Sequence, residues 1–345
     1  MLLGACTAIG PAQVPLDQFD YNQAIARSTN EQMLLNLVRL RYGEVPTFLA
    51  LTSVLTQYVY SGGVGVEGAW GASESDSSYA LGTSADVRYI ERPTMTYSPL
   101  TGQAFAAQMT APVPTELVFS LIQSGWPPDQ LLVMSIQRIN SLQDLGFIPA
   151  GPPEETEGEG GLDRAIQLLI ELSRREAIEV VTAQADPASR QLEFEAAPDP
   201  ETKQLIDELK AVVNLSPEHS AFRITRRVVG RGPDEVTVRV RSLLELMGFL
   251  CRGVDVPPQH LDESRAVRTH GVGGGDDRRR VPLRIRVQAE PPLDAFVAVK
   301  YVDYWFYIPR SDHLSKQAFG LLVYLFQMQA PQVQGAGPLL TVPTG

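Results

Sequence analysis

Two short patterns in the chain carry residue types that can do chemistry. Gly63, Gly65 and Gly68 have the G-x-G-x-x-G spacing of a dinucleotide-binding turn, in which a helix opens directly behind the glycines. Here a period-two alternation continues through the glycines, which predicts a strand and no phosphate site. Ser216-Pro-Glu-His219 contains hydrolase residue types, but at this spacing the segment favours the capped start of a helix.

The histidines and cysteines form no recognisable catalytic or metal-binding pattern. Cys251 lies in an apolar run with helical spacing, where a lone thiol is most often a small buried hydrophobe. Motifs of the type G-x-S-x-G, H-E-x-x-H and G-x-x-x-x-G-K-[ST] are missing from the sequence. We therefore predict no enzyme, no metal site and no cofactor. The four histidines, none with a second His or Cys at zinc-ligand spacing, are His219, His260, His270 and His313.

Charge and aromatic clusters leave further alternatives open. The formal net charge of −11 argues against nucleic acid as a partner, because such binding depends on basic contacts to phosphates. A basic cluster is either solvated or faces acidic lipid or a partner. The aromatic segment 296–308 is either a ligand platform or a core hairpin beneath a helix capped near Ser311. The basic cluster consists of Arg223, Arg226, Arg227 and Arg231.

The first residues carry a possible lipidation site. Leu3-Gly4-Ala5-Cys6 resembles the lipobox of bacterial lipoproteins, in which an aliphatic residue and two small residues precede an acylated cysteine. The resemblance implies that Cys6 is lipidated and that acyl chains hold the protein to a membrane. Thr7, which stands where an inner-membrane retention signal usually has Asp, implies the outer membrane, on its periplasmic side. Residues 8–18 have neither helical nor strand period and predict a tether.

The segment 57–91 has the most regular pattern in the chain. Even positions from Tyr58 to Trp70 are aromatic, aliphatic or Gly, and odd positions are mostly small or polar. The alternation resumes after the polar stretch 71–78, which predicts an antiparallel hairpin. In an antiparallel pair the numbers of two opposed residues add to a constant. A constant of 149 places Trp70 opposite Tyr79, and along one face it pairs the apolar positions of one strand with those of the other.

The apolar face of this hairpin has the length of a bilayer core. Tyr60 and Trp70 are ten steps apart, roughly 33 Å, or about 23 Å along the membrane normal for strands tilted by about 45°. Outer-membrane barrels have an apolar band of roughly 25 Å with aromatic residues at its edges. The candidate membrane-facing residues are Tyr60, Val64, Val66, Trp70, Tyr79, Leu81, Val87 and Tyr89, and the candidate lumen-facing residues are Glu67, Asp86 and Arg88.

Two functions follow from these patterns. Since one hairpin leaves backbone groups unpaired in lipid, only a ring of copies forms a closed pore. An anchored α/β body with one such hairpin is similar to the curli secretion lipoproteins, which implies an oligomeric outer-membrane pore or secretion channel. The pore is the alternative to our main prediction, which is an outer-membrane-anchored structural or assembly component of a bacterial envelope complex, with the hairpin packed on its own domain.

The fold predicted for the whole chain is α+β, with helices packed on mainly antiparallel sheet and one long amphipathic hairpin. The chain length favours about two domains. The Pro-, Gly- and Glu-rich stretch at 149–162 predicts a linker between them. The predicted divisions are an anchor and tether at 1–18, a helical domain with the hairpin at 19–148, and an α+β domain at 163–345 with a flexible loop at about 257–281.

Overall fold

The fold is α+β, as the sequence predicted. Helices pack on mostly antiparallel sheets, and β1 (Phe48–Ser73) and β2 (Asp76–Leu100) form one long hairpin. For residues 9–17 and 55–93 the description is of the backbone. The structure is a computed structural model that describes residues 9–73, 76–143, 159–182, 190–195, 199–225, 232–266 and 281–329.

Within these ranges the chain forms two compact units. The first, which we call the body, comprises residues 9–46 and 102–329, and the second is the hairpin unit at 47–101. This division differs from the predicted one, which assigned the hairpin to a helical domain ending at 148. A hairpin that pairs only with itself makes most of its contacts internally, so it separates from the residues that flank it.

The first helix covers most of the segment that was predicted to be a tether. The tether predicted for 8–18 is wrong over its described part, because α1 runs from Ile9 to Arg41. Pro11 lies in the first helical turn, where backbone N–H groups have no helical partner in any case. The segment with the lipobox lies outside the described residues. The buried face near the end of α1 consists of Met33, Leu34, Leu37 and Val38.

The segment after the hairpin forms short helices and strands. Pro112 and Pro114 separate α2 (Gln103–Thr110) from α3 (Thr115–Gln123). A third short helix is followed by two short strands. These elements are α4 (Pro128–Ser135), β3 (Ile136–Ile139) and β4 (Leu142–Gln143).

A six-stranded sheet connects the two sides of the predicted linker. Its strand order is β4-β3-β8-β7-β6-β5, with β7 and β8 parallel and the other pairs antiparallel. Since β3 pairs with β8, residues before and after 149–162 belong to one sheet, and the linker does not separate two folding units. Its residues 149–158 lie outside the described part. The remaining elements are α5 (Glu159–Arg174), β5 (Ile178–Thr182), β6 (Arg190–Phe194), α6 (Pro200–Val212), β7 (Ala221–Thr225) and β8 (Glu235–Val240).

The last part of the body contains a short three-stranded sheet. We predicted a flexible loop over about 257–281, but a short helix occupies its beginning, and 267–280 lie outside the described residues. In the described part of the chain no helix is long and apolar enough to cross a bilayer. The elements are α7 (Leu243–Leu250), α8 (Pro258–Asp262), β9 (Arg286–Gln288), β10 (Ala295–Tyr301), β11 (Tyr304–Pro309) and α9 (His313–Gln329).

Of the two alternatives for the aromatic segment 296–308, the structure has the core hairpin. Strands β10 and β11 pair antiparallel, and Phe306 is fully buried. The rings of Phe296 and Phe319 meet edge to face at 6.3 Å, which packs this hairpin against α9. Asp312 caps α9 by accepting a hydrogen bond from the backbone N–H of Ser315.

Candidate functional site

The β1–β2 hairpin has the register that the sequence predicted. Tyr60 pairs with Tyr89 and Trp70 with Tyr79, so opposed residues sum to 149 over the whole predicted segment. The strands are 26 and 25 residues long, extending well beyond 57–91. The register therefore places the predicted apolar positions of both strands on one face of the paired sheet.

The polar positions fall on the opposite face. Glu67 pairs with Gly82, Asp86 with Gly63, and Arg88 with Ser61, so each charged position is opposed by a small residue. On the apolar face, Val66 pairs with Thr83 and Gly68 with Leu81. The backbone thus brings the candidate membrane-facing positions together and separates them from the three candidate lumen-facing positions. The paired set on the apolar face includes Tyr60, Val64, Val66, Trp70, Tyr79, Leu81, Val87 and Tyr89.

A β-bulge interrupts the hairpin near its base without reversing its faces. The pairing shifts between Leu51 and Ser53, which leaves Thr52 as the extra residue of β1. The Thr52 hydroxyl donates a hydrogen bond to the carbonyl oxygen of Thr96 at 3.0 Å. Because one residue is added on one strand only, β2 keeps its alternation through this point. Tyr97 therefore lies on the same face as the apolar positions farther along.

This face carries exposed apolar side chains at the hairpin base. The solvent-exposed fractions are 48% for Leu49, 41% for Met95 and 50% for Tyr97. The register places all three on the face that bears Tyr60 and Trp70. About half of each of these three side chains is exposed, so the hairpin base carries apolar area that a partner can cover.

A second feature, which sequence reasoning missed, lies at the end of α1. The Tyr42 hydroxyl and Nδ1 of His260 are hydrogen-bonded at 2.7 Å, with the proton position set by the imidazole tautomer. The Tyr301 hydroxyl donates to the Glu44 carboxylate at 2.5 Å. The ring centroids of Tyr42 and Tyr301 are 5.0 Å apart. We call Tyr42, Glu44, His260 and Tyr301 the tyrosine cluster.

The tyrosine cluster has a structural rather than a chemical character. His260 is 2% exposed, so no substrate reaches its ring. Burial raises the pKa of Tyr42 to about 12, and burial together with the Glu44 hydrogen bond raises the pKa of Tyr301 as well. Both hydroxyls stay protonated at neutral pH, and the Tyr301 hydroxyl donates to the Glu44 carboxylate. The cluster fixes residues 42–44, which follow α1, to α8 and to the β10–β11 hairpin.

The two short patterns with catalytic or phosphate-binding residue types lie in a strand and in a turn. Gly63, Gly65 and Gly68 lie inside β1 with no helix behind them, as predicted. The helix start predicted at Ser216–His219 is wrong. Those residues form a turn, in which the Lys210 ammonium donates to the carbonyl oxygens of Pro217 and His219.

The remaining candidates are divided between paired, buried and undescribed residues. Arg223 lies 3.8 Å from Asp234 and 3.7 Å from Glu235, so carboxylates of the body neutralise its charge. Cys251 is buried, and burial raises its pKa to about 12. In the described ranges no three His, Cys, Asp or Glu side chains group as metal ligands. Cys6, His270 and three arginines of the basic cluster, Arg226, Arg227 and Arg231, lie outside the described residues.

No protein-family model, curated protein or solved structure matches the chain.

Proposed function

We propose that the protein is a subunit of an oligomeric outer-membrane pore or secretion channel, to which each copy contributes the β1–β2 hairpin. The observation that carries this proposal is the hairpin itself. Among the residues that the structure describes, two strands of about 25 residues pair with each other and with no further strand, and they form a unit apart from the body. Their register collects apolar positions on one face. Such a hairpin has two unpaired edges, which neighbouring copies satisfy by continuing the sheet.

The dimensions of the hairpin support insertion with length to spare. The apolar positions span 60–70 on β1 and 79–89 on β2, which is the 9–11 residues that a tilted strand needs to cross a bilayer. Beyond them, residues 48–59 and 90–100 continue as paired sheet for roughly 36 Å. Glu91, opposite Tyr58, is the first charged position on the apolar face and marks the end of the band.

The proposed anchor is the acylated Cys6. Acylation of this residue holds each copy on the periplasmic side of the outer membrane, which raises the local concentration of hairpins at the bilayer. Two acyl signals are needed for stable anchoring, and a diacylated cysteine supplies them. The experiment is fractionation of cells that express the full chain or its Cys6→Ala variant. Loss of acylation and of membrane association in the variant supports the anchor, and unchanged membrane association contradicts it.

The pore is tested by arginine substitutions on the two faces. Val64→Arg and Val87→Arg place a charge on the proposed lipid face, at a cost of about 2–4 kcal/mol near the bilayer midplane. Gly65→Arg and Ser84→Arg are matched controls, because these two positions oppose each other on the other face. We expect the first pair to abolish the oligomer extracted in detergent and the second pair to retain it. Unchanged oligomers in all four variants contradict the pore.

A second function is supported by the exposed hairpin base. Leu49, Met95 and Tyr97 offer an apolar surface that a different envelope protein can also cover, which is the assembly-component function. Particle size separates the two proposals. A homo-oligomer of the purified chain supports the pore, and a monomer that associates only with another envelope protein supports the assembly component.

A further inference from the structure

The body contains an apolar cavity that is independent of the hairpin. It has a volume of about 220 Å³ and lies between the six-stranded sheet and the four helices α3, α4, α5 and α6. Its floor includes Leu192 on β6, Ile224 on β7 and Val238 on β8, and its walls include Ile122 on α3 and Leu169 on α5. Helix α6 closes a further side at its C-terminal end.

The side chains around the cavity leave it open where a closed core is expected. Val236 and Phe222 are buried, yet their neighbours Val238 and Ile224, two residues along the same strands, are only half-buried. Leu169 on α5 is also half-buried. Well-packed interiors leave few voids larger than a water molecule, so a cavity of this size is unusual for a domain core. Enclosed apolar cavities of similar size take up hydrophobic small molecules, and this cavity, which is partly open to solvent, offers a comparable apolar volume.

The lining defines the chemistry of a ligand. Its polar members are Gln123, Ser173 and Glu179. Strand alternation directs Glu179 to the opposite side of the sheet from Ile178 and Val180, which leaves an amide and a hydroxyl as polar groups at the margin. No Lys, Arg or His belongs to the lining within the described ranges. An anionic headgroup therefore has no cationic partner here, and an uncharged headgroup has hydrogen-bonding groups.

The volume of the cavity determines how long the apolar part of a ligand can be. A cavity of about 150 Å³ holds the six carbons of benzene, so 220 Å³ accommodates roughly eight or nine carbons. We propose that this cavity binds the alkyl end of an uncharged amphiphile of about this length. The binding site belongs to the body and does not depend on the proposed pore.

The ligand class is tested with two probes of equal chain length on the purified full chain. Each ligand displaces the neutral fluorophore 1-aminoanthracene, and a shift in the melting temperature measures the same binding independently. We expect 1-octanol to bind saturably and at least about tenfold more tightly than octanoate, since only octanoate carries a charge into the apolar lining. Equal affinities overturn the preference for an uncharged head, and no saturable 1-octanol binding overturns the site.

Binding inside the cavity is separated from binding to exposed apolar surface by matched variants. Leu169→Trp and Val238→Phe fill the cavity from a helix and from the sheet. Leu205→Trp is the control, because Leu205 is a half-buried leucine packed on the same core but outside the lining. We expect 1-octanol affinity to fall at least about tenfold in the first two variants and to persist in the control. If a filling variant does not fold, the other decides the question, and unchanged affinity in a folded filling variant contradicts the proposal.

Discussion

Replacing the exposed apolar side chains at the hairpin base should weaken the proposed oligomer without destabilising the subunit. The variant carries Leu49→Thr, Met95→Thr and Tyr97→Thr, since threonine keeps the strand propensity and removes apolar area. These residues lie outside the proposed membrane band, so water is the reference environment. Full burial of such a side chain contributes about 1.5–3 kcal/mol. With exposed fractions of 48%, 41% and 50%, each has about half of that still to gain in an interface.

The sum over the three positions is roughly 2–4 kcal/mol per subunit contact, which corresponds to a weakening of association by about 30- to 1000-fold. Sedimentation velocity across a dilution series in detergent measures the dissociation midpoint. Leu293→Thr is the control, because Leu293 is fully exposed and belongs to the body. The reasoning is refuted if the triple variant, the control and the wild type have the same dissociation midpoint. It is also refuted if the free energy of unfolding of the triple variant falls by a similar amount, because the three side chains then stabilise the fold of the subunit.

Three further predictions concern the body. Tyr42→Phe removes the hydroxyl bonded to Nδ1 of the buried His260, and the free energy of unfolding should fall by about 1–3 kcal/mol in urea titrations; an unchanged value contradicts the role given to the tyrosine cluster. Ser242→Ala breaks the capping box at the start of α7. There the Ser242 hydroxyl accepts a hydrogen bond from the Glu245 backbone N–H, and the Glu245 carboxylate accepts one from the Ser242 backbone N–H. The same urea titration should show that the free energy of unfolding falls by about 1 kcal/mol. Burial raises the pKa of Cys251 to about 12. In the Cys6→Ala variant, in which Cys251 is the remaining thiol, a thiol reagent at pH 8 should therefore label the protein only at the rate of unfolding. Fast stoichiometric labelling contradicts the burial of Cys251.

The hairpin shows how far the sequence determines structure. Its register follows from the sequence for two reasons. A slip of one residue moves the apolar positions of one strand to the other face. Among the remaining alignments, one pairs the aromatic residues at both ends, Tyr60 with Tyr89 and Trp70 with Tyr79. The outer ends of the strands were not predicted, since Pro93 and Pro99 break the propensity pattern there. Backbone pairing continued from the regular part carries the ladder through both prolines to Leu100.

Contacts between distant segments could not be predicted in this way. Tyr42 and His260 are 218 residues apart, and neither lies in a pattern that indicates the other. The same limit affects domain division, because the pairing of β3 with β8 joins residues on both sides of a Pro- and Gly-rich stretch. Composition identifies a turn or linker region locally, but it does not specify which strands pair across it.

The central claim is that the hairpin of each copy crosses the bilayer with one face toward lipid. Nitroxide labels in proteoliposomes measure directly whether each position faces lipid or water. The labels are placed one at a time at positions 60 to 70, in the Cys251→Ser variant of the acylated protein. The account predicts that accessibility to oxygen, which concentrates in lipid, peaks at even positions such as Val64. Accessibility to a water-soluble nickel complex should peak at odd positions such as Gly65. Labels that show no period-two difference, or that are all accessible from water, contradict the claim.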